Sequence, residues 1–172
     1  MHHEQIVTIR KAVLADLPAI TAIYNEAILN TTATMDTETK TVDNRKDWFE
    51  AHGAQQPIFV AEAKTTGQIV GWASLSRWSD RVAYRYTAET SLYVHADHRG
   101  QGIGRTLNDK LIVTAQELGY HNLIARITGD NARSIQMHKL AGFELVGTMR
   151  NVGYKFEMWL DVHILQNTLV SV

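Results

Sequence analysis

Apolar positions along this chain follow two periodicities, and the switches between them mark the elements. Leu17, Ile20, Tyr24, Ala27 and Ile28 recur three or four residues apart, one face of a helix that Asp16 can cap and that carries Pro18 in its first turn. A shorter helix is predicted over residues 43–51, with Trp48 and Phe49 inward. Leu107, Leu111, Ile112, Ala115 and Leu118 define a third helix ending at Gly119. Asn131 can cap a fourth through Leu140, with Gly142 just past its end. Alternating or continuous apolar runs predict strands over residues 8–12, 58–63, 69–75, 89–94, 123–127, 143–149 and 156–165. Lys64-Thr65-Thr66-Gly67 reads as a hairpin turn, and residues 77–86 as a polar, aromatic, irregular stretch. The order β-α-α-β-β-β-α-β-α-β-β describes a single α+β domain over residues 1–172. Its sheet is mixed and mostly antiparallel, with helices on both faces.

Composition narrows the classes. The 172 residues suffice for one domain with a sizeable core, and the formal net charge of −1 gives no general argument for nucleic-acid or anionic-membrane binding. With no cysteine, disulfides, thiolate nucleophiles and cysteine metal sites are excluded. Met1-His2-His3-Glu4 leads directly into the first strand without a signal peptide or long apolar span. The expectation is a cytoplasmic protein that binds neither membrane nor nucleic acid.

The run Arg99-Gly100-Gln101-Gly102-Ile103-Gly104-Arg105 stands between a strand and a helix. Glycine in a helix costs about 1 kcal/mol against alanine, so two glycines at a helix start suggest a gain from the missing side chains. Close approach of a ligand phosphate to backbone N–H groups at the helix N-terminus is the usual gain. A Walker loop does not fit, because Arg105-Thr106 follows Gly104; a dinucleotide fingerprint fails at Arg105 or Leu107. Arg-x-x-Gly-x-Gly remains, and it resembles the acetyl-CoA pyrophosphate loop of the GNAT N-acetyltransferase superfamily.

Further strings resemble the phosphinothricin acetyltransferase branch of that superfamily. They are Ile23-Tyr24-Asn25-Glu26, the run from Tyr86 to Val94, Asn131-Ala132-Arg133-Ser134, Met137-His138-Lys139-Leu140-Ala141-Gly142-Phe143 and Val152-Gly153-Tyr154-Lys155-Phe156. Trp159-Leu160-Asp161 closes the set. The resemblance spans essentially the whole chain. It implies the GNAT fold, acetyl-CoA as co-substrate without a metal, a homodimer, and a small amino acid or analogue as the amine. Phosphinothricin, methionine sulfoximine and methionine sulfone are amines of this type. Another amine such as a polyamine or a protein N-terminus, or a non-catalytic acyl-CoA sensor, are the alternatives.

The resemblance also assigns roles. An amine with a pKa of ~10 is neutral in about one molecule in a thousand at pH 7, a deficit of roughly 4 kcal/mol that a general base offsets. Glu89 matches the family's catalytic glutamate; alone, it reads as a carboxylate at a strand end. Leu92, Tyr93 and Val94 match the strand whose backbone bonds the pantetheine arm, and Arg99 to Arg105 match the pyrophosphate loop. Asn131 and Ser134 match the second cofactor contact, though Asn131 equally suits an N-cap. His138 stands where many members carry a tyrosine that protonates the departing thiolate; it also suits a packing role. Arg77, Trp78, Ser79, Thr87 and Ala88, with Glu89, are the expected substrate wall, and Arg77, Arg81 and Arg85 are candidates to pair with a carboxylate. Two departures stand out: Ser79 follows Trp78 where sulfoximine-acetylating relatives tend to carry arginine, and Glu157 stands where members often have glycine. His95-Ala96-Asp97-His98 lies in a turn without a third clear ligand, so no metal is expected there.

Overall fold

The computed structural model describes residues 6–169. In chain order the elements are β1 (Val7–Lys11), α1 (Leu17–Asn30), α2 (Val42–Ala51), β2 (Ile58–Ala63), β3 (Ile69–Arg77), β4 (Thr87–Val94), α3 (Ile103–Glu117), β5 (Asn122–Thr128), α4 (Ala132–Leu140), β6 (Glu144–Lys155) and β7 (Met158–Thr168). The strands form one seven-stranded sheet in the order β1-β2-β3-β4-β5-β7-β6. Neighbours are antiparallel except β4 and β5, which run parallel.

Strand alternation sorts the core onto two faces. Phe59, Ala73, Leu75, Ala88, Ala125 and Ile127 face the stripe of α3 formed by Ile103, Leu107, Leu111 and Ala115. Ile58, Val60 and Trp72 face α1 and α2 through Ile20 and Ile23, with Tyr24, Trp48, Phe49 and Tyr93 packed around them. The Arg45 guanidinium lies 3.6 Å from the Trp48 ring centroid within this aromatic group, and burial pushes its pKa down.

Three local readings change. Asp16 makes no side-chain cap to α1. Its carboxylate accepts from the Val13 N–H at 2.8 Å and pairs with Arg10 at 2.7 Å, and that hydrogen-bonded pairing holds its pKa low. The second helix begins at Val42, one residue early, because the Thr41 hydroxyl accepts the Asn44 N–H. The last hairpin turns at Phe156 and Glu157, both with positive φ, so Phe156 lies in the turn rather than in the strand predicted from it. β6 therefore extends to Lys155, through a register shift between Met149 and Gly153 that includes Asn151 at φ 51°.

Candidate active site

The site is built on a fork in the sheet. β4 and β5 pair only at Thr87, Ala88 and Glu89, opposite Asn122, Leu123 and Ile124. Beyond Glu89, β4 has β3 as its one strand neighbour among the described residues and is no longer paired with β5. Its main chain from Thr90 to Val94 thus has a free side where an extended ligand arm can bond as an added strand.

The fork leads to a cleft of about 720 Å³ at the start of α3. Gly102 is the N-cap of α3 at φ 82°, and no side chain caps the helix. The first helical bond is from the Thr106 N–H to the Gly102 carbonyl, so the N–H groups of Ile103, Gly104 and Arg105 have no partner among the described residues. Three unpaired donors at a positive helix end suit a diphosphate. The left-handed backbone at Gly102 is a second reason for glycine there, beyond close ligand approach. Arg99 anchors the loop, donating from Nε to the Val94 carbonyl at 3.0 Å and pairing with Glu26 of α1. All the expected cofactor residues line this cleft except Gln101, whose side chain turns to the Asp97 carbonyl. Asn131 lines the cleft and caps α4, its Oδ1 accepting from the Ser134 N–H at 3.2 Å.

A second cleft, of about 520 Å³, shares Ala33, Leu92, Tyr93, Asn131 and Ser134 with the first and contains Glu89 and His138. Arg126 of β5 holds the Glu89 carboxylate by two bonds, Nε to Oε1 at 2.5 Å and NH2 to Oε2 at 2.9 Å. The pair is side by side because both residues alternate away from the α3 core, where Ala88, Ala125 and Ile127 are buried. His138 is buried against Phe143, and its Nδ1 lies 2.8 Å from the Ser134 carbonyl. Burial lowers its pKa, so the ring is neutral near pH 7. Since a carbonyl only accepts, Nδ1 carries the proton and Nε2 is an acceptor. Tyr24 extends the wall, donating to Asp36 at 2.8 Å, and burial raises its pKa.

The expected substrate wall is only partly here. Arg77, Trp78 and Ser79 line neither cleft; Arg77 pairs in register with Ala88, on the face opposite Glu89. Thr87 and Ala88 precede the fork, and Ala88 is buried in the α3 core. Arg81 and Arg85 are exposed, with Arg85 stacked 4.5 Å from the Tyr86 ring centroid. The residues that join Glu89 instead are Arg126, the segment from Ala33 to Asp36 after α1, and Met149 and Val152 of β6. Arg126 had a visible signal: a lone charge between apolar neighbours in a short strand. The segment 33–36 and β6 had none, because only tertiary packing brings them to the cleft.

Residues 9–164 match the Acetyltransferase (GNAT) domain. The chain belongs to the GNAT acetyltransferase family. It is 43% identical over 163 residues to the L-methionine sulfoximine/L-methionine sulfone acetyltransferase of Pseudomonas paraeruginosa, covering 94% of each chain. It is 36% identical over 157 residues to the phosphinothricin N-acetyltransferase of Alcaligenes faecalis, covering 90% of this chain and 78% of that one. The crystal structure of a phosphinothricin acetyltransferase from Sinorhizobium meliloti in complex with acetyl-CoA superposes with a TM-score of 0.92 at 37% identity, covering 96% and 89% of the two chains.

Proposed function

We propose that this acetyltransferase moves the acetyl group of acetyl-CoA to the α-amine of a small amino acid or analogue, of the methionine sulfone, methionine sulfoximine or phosphinothricin type. The observation that carries this is the fork: one opening joins an uncapped helix N-terminus to a carboxylate held beside a guanidinium. The names of the relatives support the substrate class. Acetyl-CoA supplies the thioester whose acetyl carbon the amine attacks.

The chain's own groups divide the work. The N–H groups of Ile103, Gly104 and Arg105 receive the diphosphate, and the free side of β4 receives the pantetheine arm. Glu89 takes the ammonium proton; each carboxylate oxygen keeps a lone pair beyond the one that Arg126 occupies. Main-chain donors of β4 meet the carbonyl oxygen as negative charge develops. His138 enters with Nε2 as an acceptor, suited to hold a water or a thiol S–H. Giving a proton to the thiolate would require the imidazolium that burial disfavours, so in this scheme the second proton that the nitrogen sheds after attack passes to solvent, and the thiolate takes its proton from solvent as the C–S bond breaks.

No helix among the described residues is long and apolar enough to cross a membrane, consistent with work on a dissolved amine in the cytoplasm. The exposed apolar residues of β6 and β7 support a homodimer. The test is an amine screen with acetyl-CoA, reading free-thiol release. Methionine sulfone, methionine sulfoximine and phosphinothricin should be acetylated well above simple polyamines. Thiol release with polyamines but none of these amino acids would overturn the reading.

A further inference from the structure

A guanidinium has two edges that can grip a carboxylate with paired bonds, one formed by Nε and NH2 and one by NH1 and NH2. In Arg126 the first edge is committed to Glu89. The two protons on NH1 and the second on NH2 meet no acceptor among the described residues, and the side chain is 53% exposed. Arg126 is also the arginine that lines the same cleft as Glu89; Arg99, Arg105 and Arg133 line the cofactor cleft, and Arg77, Arg81 and Arg85 line neither.

We propose that Arg126 is the residue that reads the substrate's carboxylate, through its NH1/NH2 edge, while Glu89 receives the amine. The inference rests on the amino-acid reading above. An α-amino acid carries ammonium and carboxylate on one carbon, so it presents two opposite charges a few ångströms apart. Glu89 and Arg126 present the complementary pair at the same scale, with their contacting atoms 2.9 Å apart. Set against each other, the four groups alternate in sign. The amine then lies at the base, and the arginine fixes its orientation. The substrate side chain falls toward Met35, Met149 and Val152, an apolar wall suited to a compact, methionine-like chain. This arrangement also accounts for a chain that reads a carboxylate with serine, not arginine, after Trp78.

The test compares kcat/KM for methionine sulfone with that for the amine left when its carboxylate is removed. The parent, Arg126→Gln and Arg126→Lys are each measured, with melting curves to establish folding. The parent should prefer the amino acid. Arg126→Gln should lower kcat/KM for the sulfone at least ten-fold more than for the simple amine, chiefly by raising KM. Arg126→Lys should recover part of that preference, having the charge but not the paired edge. Equal losses on both substrates would mean that Arg126 only positions Glu89, overturning this assignment while leaving the amino-acid reading intact. A parent that does not prefer the acid would overturn both.

Discussion

Glu89 meets the guanidinium of Arg126 with both oxygens, yet it lies in a cleft open to solvent, and its task is to relieve an ammonium of one proton. A general base of this kind contributes about 10²–10⁴-fold. Glu89→Gln should lower kcat by that order while leaving acetyl-CoA affinity nearly unchanged, because the unpaired N–H groups of α3 are untouched. The loss should shrink at high pH, where more amine is already neutral; turnover equal to the parent at neutral pH would remove the role. Glu89 itself was legible only through resemblance, since a glutamate at a strand end is ordinarily a surface charge. Arg126 carries a signal as a lone charge in an apolar strand, but nothing in the sequence ties it to Glu89: strand alternation and a parallel neighbour bring it there from 37 positions away. Sequence proximity is a poor guide to a site lying between two strands.

At the scale of elements, periodicity located the four α-helices and every strand but β6 to within about three residues, because helices with one buried stripe and strands with buried apolar runs both leave a pattern in the chain. It failed where burial gives no signal. β6 is exposed along most of its length, and its hairpin turn lacks the Asn-Gly or Asp-Gly pair that usually announces such turns. Phe156 at φ 51° and Glu157 at φ 60° hold it instead. A non-glycine residue in the left-handed region costs roughly 1–2 kcal/mol. Glycine at Glu157 relieves that strain but loses more backbone freedom on folding, so Glu157→Gly should stabilise by about 1 kcal/mol, the strain relief exceeding the added entropy cost. The melting temperature should rise about 2–4 °C for a chain of this size. Glu157 lines neither cleft, so activity should be retained. A melting temperature unchanged or lowered would mean that the Glu157 side chain contributes contacts outweighing the backbone strain.

Among the described residues of the whole molecule, the hairpin of β6 and β7 is left without a covering element. β6 is an edge strand, and with β7 it exposes Val146 at 62%, Val152 at 52%, Tyr154 at 57%, Met158 at 49% and Trp159 at 66%. An open edge carrying this much apolar surface is an association hazard unless something specific covers it. A second copy is the occupant proposed here, since a two-fold axis lets one patch serve as its own complement. The same hairpin supplies Met149 and Val152 to the amine cleft, so covering it would also order the wall that receives the substrate side chain. Oligomeric state and substrate affinity should therefore move together. Sedimentation should give a dimer at micromolar concentration. Val146→Asp with Trp159→Arg, both outside the two clefts, should give a folded monomer whose KM for methionine sulfone rises several-fold while its acetyl-CoA affinity holds. A parent that sediments as a fully active monomer would remove the dimer. A monomeric variant with unaltered KM would keep the dimer but separate it from the site, leaving Met149 and Val152 ordered by their own strand alone.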